Sequence, residues 1–250
     1  MIGIITAPVF KQYKTCGESY LYTAYINWVE MSGEQAVIIP YDIPEKKLSV
    51  ILSRINGVVW VGGAIGNKKK HTKKQYDLLM NTIFFCYQYA VKENDKGNYY
   101  PIWSTCLGFD ILIMFVNEQH NTLYESLSSF SLHGEYPCEF TNTSSRLKKW
   151  FSPSMREQMK QPCVFHNHIY GNKNLSDKVT VVSFHDKFIN MIEFKDYPFY
   201  GVQFHPEQPQ SELAIKISYQ FSLFFKQECD KNKNIWKWEV SDFKKKKILL

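Results

Sequence analysis

Trp103-Ser104-Thr105-Cys106-Leu107-Gly108-Phe109 is the stretch that decides the fold. Ile102-Trp103 reads as a short buried strand, and Leu107 to Val116 as a helix leaving it. Cys106 therefore stands at a strand-to-helix turn, with a small residue, Gly108, two places on. This is the nucleophile-elbow arrangement with cysteine in place of serine. A tight turn exposes the side chain. The N-terminus of the following helix sets partial positive charge beside the sulfur and favours the thiolate. A strand that hands a reactive side chain to a helix implies an α/β sheet with its chemistry at the carboxyl ends of the strands.

The same alternation extends outward in both directions. Ile2 to Thr6 is an apolar run stopped near Pro8, so a buried strand. Ser19 to Met31 places Leu21, Ala24, Tyr25, Trp28 and Val29 at helical spacing and ends at Ser32-Gly33. Ala36 to Ile39 is a second strand, Leu48 to Arg54 a short helix and Gly57 to Val61 a third strand. His71 to Glu93 predicts a long helix. Continuous apolar strands separated by amphipathic helices predict a mostly parallel central sheet covered on both faces, a three-layer αβα sandwich. Beyond the elbow, Glu118 to Tyr136 has weak periodicity and is expected to include loop, and Trp150 to Lys160 reads as a modest helix. Val179 to Phe184, Ile189 to Phe194 and Phe199 to Phe204 read as antiparallel strands. Glu212 to Cys229 is a final amphipathic helix, followed from about residue 230 by a charged tail expected on the surface. No internal repeat or Pro/Gly/Ser-rich linker interrupts the chain, so residues 1–250 are expected to form one domain.

A cysteine nucleophile needs a base, and the base needs an orienting group. His205-Pro206-Glu207 supplies both, directly after the apolar run Tyr200-Gly201-Val202-Gln203-Phe204. Val61-Gly62-Gly63-Ala64 follows another strand. Acyl transfer requires two backbone N–H groups aimed at the developing oxyanion. Leu107 offers one, and Gly62 or Gly63 the other, since glycine tolerates an inward-facing backbone.

Composition narrows the partners. At 44% apolar and 22% charged residues, the chain can bury a core, which excludes wholesale disorder. The 30 basic and 24 acidic side chains leave a net charge of +6, carried mostly by Lys. Arg occurs only at Arg54, Arg146 and Arg156. Reading guanine favours Arg, so no nucleic-acid partner is expected. Lys68, Lys69, Lys70, Lys73 and Lys74 cluster after the Gly-Gly run, and Lys244 to Lys247 near the C-terminus. Both clusters read as solvated surface; the first also suits recruitment of an acidic substrate. No apolar run approaches the ~20 residues of a membrane helix, so no membrane partner is expected. Cys16, Cys86, Cys106, Cys138, Cys163 and Cys229 form no C-x-x-C pair and no zinc pattern, so no metal site is expected. The sequence starts without a basic leader. A cytoplasmic location is therefore expected, and a secreted or lysosomal one if a leader was removed.

The order of Gly-Gly, elbow Cys and late His-x-Glu resembles the class I glutamine amidotransferase-like fold and, within it, the gamma-glutamyl hydrolase family. Four runs carry the resemblance: Tyr20 to Gly33, Ile55 to Ala64, Pro101 to Phe109 and Tyr197 to Glu207. The Thr-Cys-Leu-Gly-Phe form of the elbow is the most specific of them. The resemblance implies a cysteine hydrolase that cuts gamma-glutamyl bonds in folylpoly-gamma-glutamates, a small-molecule substrate, with no cofactor. Cys106 would be the nucleophile, His205 the base and Glu207 its orienting group. Gly63 and Leu107 would form the oxyanion hole, and Gly62, His166 and Asp110 would contact substrate. A homodimer is compatible with this reading. Asp110 falls where the family usually has Glu, and Ser104 where the elbow usually has Gly. Three alternatives stand beside it: a glutaminase subunit that passes ammonia to a synthase, a hydrolase of another gamma-glutamyl amide, and a catalytically degenerate binding protein.

Overall fold

The computed structural model describes residues 1–15, 17–65, 70–118, 123, 127–237 and the backbone of 248–249. Cys16, Lys68, Lys69 and Lys244 to Lys247 lie outside the described residues. In chain order the strands are β1 (Ile2–Ile5), β2 (Ala7–Pro8), β3 (Ser19–Tyr20), β4 (Ala36–Ile39), β5 (Gly57–Trp60), β6 (Ile102–Thr105), β7 (Ser128–Tyr136), β8 (Val164–Gly171), β9 (Val179–His185), β10 (Phe188–Phe194), β11 (Phe199–Val202) and β12 (Ile248–Leu249). The helices are α1 (Thr23–Glu30), α2 (Glu45–Leu52), α3 (Lys73–Asp95), α4 (Leu107–Val116), α5 (Arg146–Trp150), α6 (Pro153–Gln158) and α7 (Glu212–Asp230).

The strands that alternation marks as buried form one seven-stranded sheet in the order β4-β1-β5-β6-β11-β10-β9. From β4 to β11 every neighbouring pair is parallel, and β10 and β9 close the edge antiparallel. Successive side chains of a strand point to opposite faces, so each inner strand feeds two cores. Val58 and Trp60 of β5 join Leu48, Leu52, Leu79 and Phe109 on the face covered by α2, α3 and α4. Val59 and Val61 join Tyr25, Trp28, Phe221 and Phe225 on the face covered by α1 and α7. This is the expected αβα sandwich.

The departures from the sequence reading have local causes. α1 starts at Thr23 rather than Ser19, because Ser19 and Tyr20 pair with Pro8 and Ala7 as strands. The helix expected over Trp150 to Lys160 is split: Ser152 is extended, as a residue before proline prefers, and Pro153 opens α6. Within Glu118 to Tyr136, where the weak periodicity named no element, Ser128–Tyr136 is the strand β7. Its run Ser-Ser-Phe-Ser-Leu-His-Gly-Glu-Tyr is half exposed and weakly apolar, and it is ordered by pairing with β8. β11 is antiparallel to β10 but parallel to β6, because it returns between them. In the tail, Asn232 and Asn234 bond the backbone around Leu52, Ile55 and Tyr99, and β12 pairs with β3.

Candidate active site

Three strands adjacent in the sheet, β5, β6 and β11, end on the same side. Their carboxyl ends carry Gly62-Gly63, Cys106 and His205 respectively. Neighbouring strands lie about 4.8 Å apart, so topology alone brings the three sequence-predicted segments together.

Cys106 has φ 49° and ψ −105°, a left-handed conformation that costs a non-glycine residue strain. Two bonds hold it there: Cys106 N–H donates to Val202 O at 2.8 Å, and Asp110 N–H to Cys106 O at 2.9 Å. Gly108 N–H donates to Val61 O at 3.2 Å, tying the elbow helix to the glycine loop. Ser104, where the resemblance leads one to expect Gly, is fully buried. Its hydroxyl donates to Tyr200 O at 3.0 Å. It stands across from Gly201, whose added Cβ would come within 2.8 Å of Ser104 Oγ. The space for the serine is thus supplied by the neighbouring strand, and the elbow keeps its shape.

His205 follows β11. Its amide donates to Phe165 O at 2.7 Å, and the loop is pinned from the other side by the Ser218 hydroxyl on Pro206 O. The ring bonds Glu207 Oε1 through Nδ1 at 2.7 Å, with both residues buried. That bond makes Nδ1 the donor and leaves Nε2, which has no other hydrogen-bond partner, free for chemistry. Burial opposes charge on the ring, but the Glu207 carboxylate and Cys106 outweigh it and hold the imidazole pKa well above its ordinary value. A Cβ built on Gly62 would stand 2.7 Å from His205 Cε1 and 3.2 Å from Cys106 Cβ, so imidazole and thiol flank one point.

The glycine loop divides its labour. Gly62 N–H is already spent on the Tyr25 hydroxyl at 2.6 Å. Gly63 has φ 156°, which glycine adopts readily, and its N–H meets no described acceptor; neither does that of Leu107 at the start of α4. These two amides are the unspent donors beside Cys106. Asp110 lies one turn further along α4 and accepts from Asn172 Nδ2 at 2.7 Å. Burial pushes its carboxyl pKa well up, against the pull of Asn172 and Gln203. His166 sits on β8, buried, within ring-contact distance of Phe204 and His185.

In sequence, Tyr25 reads as a core helix residue and nothing more. Its hydroxyl accepts from Gly62 and lies beside the Glu207 carboxylate, so it ties the glycine loop to the His–Glu pair. Burial and that carboxylate raise its pKa well above the usual value. Tyr20 is a second such residue: a Cβ on Gly63 would stand 3.2 Å from its hydroxyl. Tyr25 at helical spacing looks like packing, and Tyr20 is one residue of the run Tyr20 to Gly33, so neither stands out in sequence as a site residue. Of the lysine cluster, Lys70 lies 5.5 Å over the Phe10 ring and Lys73 pairs with Asp77 at 2.6 Å. Among the described residues, no group of three His, Cys, Asp or Glu is placed to hold a metal ion, and no helix is long and apolar enough to cross a membrane.

The family model of Peptidase C26 matches residues 1–207. The chain is 28% identical over 226 residues to gamma-glutamyl hydrolase B of Dictyostelium discoideum, covering 83% of this chain and 62% of that protein. It is 26% identical over 260 residues to the human gamma-glutamyl hydrolase, covering 94% of this chain and 78% of that one. The chain thus spans less than two thirds of the length of the Dictyostelium relative. Among solved structures, a provisionally assigned GMP synthase subunit from Thermoplasma acidophilum matches with a TM-score of 0.53. The match covers 93% of this chain and 98% of that one at 19% identity, a likeness of fold.

Proposed function

Because the chain belongs to the Peptidase C26 family, we propose that it is a cysteine hydrolase that cleaves gamma-glutamyl bonds, with folylpoly-gamma-glutamates as its substrates. The observation that carries this reading is the His205–Glu207 bond at 2.7 Å, which leaves Nε2 unspent beside the strained Cys106 elbow. The gamma-glutamyl hydrolases of Dictyostelium and human support the gamma-glutamyl bond as the one cleaved.

In this mechanism His205 Nε2 takes the thiol proton, and Cys106 Sγ attacks the gamma-carbonyl carbon. The amides of Leu107 and Gly63 receive the oxyanion. As the tetrahedral intermediate collapses, the C–N bond breaks and His205 returns its proton to the leaving amine. A thioester remains on Cys106. Water, deprotonated by His205, adds to the thioester, and the free gamma-carboxylate leaves as the thiol is restored. Glu207 keeps the imidazole oriented and stabilises its cationic form throughout. Asp110, one turn beyond Cys106 on α4, and His166 on β8 are proposed to contact substrate.

The triad comes from one chain, so the reaction needs no second copy, and size-exclusion chromatography decides between monomer and homodimer. A cytoplasmic location is proposed, and cell fractionation of the tagged full chain tests it. Incubating the purified protein with folylpolyglutamate, other gamma-glutamyl amides and glutamine tests the substrate class. Release of glutamate or short polyglutamate supports the proposal. Turnover of glutamine alone favours a glutaminase, and turnover of none of them a binding protein.

A further inference from the structure

β8 carries His166 and His168 on its inward face, with Asn167 between them pointing out, as strand alternation requires. The hydrogen bonds of the two rings admit a single assignment of protons. His168 Nδ1 lies 2.8 Å from Tyr170 O and 3.2 Å from Phe130 O. Carbonyl oxygens only accept, so this nitrogen carries the hydrogen. Burial, aided by the neighbouring His205 and His185, keeps the ring uncharged by pushing its pKa down to about 4, so Nε2 is bare. His168 Nε2 lies 2.9 Å from His166 Nδ1, which must therefore be the donor. His166 is neutral for the same reasons, its pKa pushed down to about 2. Its remaining nitrogen, Nε2, is an unprotonated acceptor, buried and without a hydrogen-bond partner.

The ring that carries this acceptor packs against the segment that holds His205. His166 touches Phe204, the residue before His205, at 5.9 Å between ring centres. The carbonyl of Phe165, the residue before His166, holds the His205 amide. Tyr136 meets the ring edge-on at 5.5 Å and His185 at 5.5 Å, which leaves the orientation of His166 to its bond with His168.

We propose that His168 is a positioning residue: it locks His166 in the Nδ1–H form, so that His166 presents an acceptor-only Nε2 to the N–H of the scissile amide. The inference rests on the reading of Cys106 and His205 as the hydrolytic pair. For the C–N bond to break, the nitrogen lone pair must face the proton on His205. An acceptor that holds the nitrogen's own hydrogen on the other side turns the lone pair that way, and its grip strengthens as the nitrogen becomes ammonium-like. The opposite tautomer would aim an N–H at the substrate's N–H, and the two would repel. In triads, loss of the correct tautomer with geometry intact is known to be costly.

The test has two readouts on the full chain. Nitrogen-15 NMR of histidine-labelled protein near pH 7.5, with no substrate, should show His166 protonated at Nδ1 and bare at Nε2. His168→Phe keeps a ring but removes both nitrogens, and should release His166 into a mixture of tautomers. On a gamma-glutamyl amide, His168→Phe should lower kcat about ten- to a hundredfold while KM moves less than about threefold. His168→Gln, whose amide oxygen can accept from His166, should recover most of the loss. A wild-type His166 protonated at Nε2 overturns the proposal whatever the variants do. So does full kcat in His168→Phe when Cys106→Ala is inactive, because the hydrolase reading then stands without the lock. Equal activity in Cys106→Ala and wild type instead defeats the hydrolase reading, and the NMR assignment still decides the tautomer.

Discussion

Gly62→Ala perturbs the candidate site with one methyl group and no change of charge. The added carbon would lie 2.7 Å from His205 Cε1, 2.9 Å from the Tyr25 hydroxyl oxygen and 3.2 Å from Cys106 Cβ. Ordinary carbon–carbon contact begins near 3.5 Å, so the imidazole must retreat by roughly 0.8 Å. It cannot do so freely, because Glu207 holds Nδ1 and the Phe165 carbonyl holds the backbone. Overpacking of this kind costs about 1–3 kcal/mol of stability, a shift of several degrees in Tm for a chain this long. Misplacing a catalytic group by about 1 Å costs about a hundredfold in rate. Gly62→Ala should therefore stay folded, with kcat/KM on a gamma-glutamyl amide about a hundredfold lower. Removing the hydroxyl in Gly62→Ala/Tyr25→Phe relieves one contact but not the imidazole contact, and should restore little. Activity within threefold of wild type in a folded Gly62→Ala would refute the placement of Gly62 between His205 and Cys106.

Three further outcomes follow from the same geometry. His205→Ala should lose about 10⁵-fold or more in kcat/KM and Glu207→Gln roughly tenfold less than that, since the first moves the proton and the second orients it; steady-state kinetics showing the reverse ranking rejects these roles. Iodoacetamide should label Cys106 before the other described cysteines. Burial raises the pKa of Cys86, Cys138 and Cys229 and lifts Cys163 to about 12, so peptide mapping that finds any of these first contradicts the assignment. Acid should expose the buried histidines. Unfolded, His166 and His168 take up protons near 6.5, whereas folded they resist to about 2 and about 4. The contribution of these two rings is thus complete above about pH 6.5 and falls as pH drops toward 4, by up to about 1.4 kcal/mol per unit for each ring. His185, His205 and Tyr136 face the same pair and are common to both proteins compared. Urea unfolding from pH 7 to 4.5 should therefore give a shallower loss in His168→Phe than in wild type, and equal slopes would count against burial of a neutral His168.

The sandwich was legible in sequence because its strands are continuously apolar, and continuous apolarity is what burial on both faces demands. Ile2 to Ile5, Gly57 to Trp60 and Ile102 to Trp103 carry that signal. β7 and β8 do not: they pair only with each other in a separate two-stranded sheet, partly exposed, and polar residues such as Ser129, His133 and Asn167 dilute the apolar signal. Cys106, His205 and Glu207 were legible because an elbow, a strand end and a His-x-Glu spacing are local patterns. Tyr25 and Tyr20 were not, since each matters only through a partner distant in sequence, Gly62 with Glu207 and Gly63; His168 was not, because a histidine pair on alternate strand positions shows no proton assignment until the carbonyls around it are placed. Ser104 shows the same limit in reverse. It stands out in sequence as a departure, yet the register that sets it against Gly201 makes room for it.

Intact-protein mass spectrometry of enzyme quenched during turnover of a gamma-glutamyl amide reads the covalent step itself. The mechanism predicts a gamma-glutamyl adduct on the peptide that bears Cys106, no adduct in Cys106→Ala, and loss of turnover in that variant with its fold retained. Turnover that continues in Cys106→Ala, with no adduct on the wild-type thiol, would contradict it.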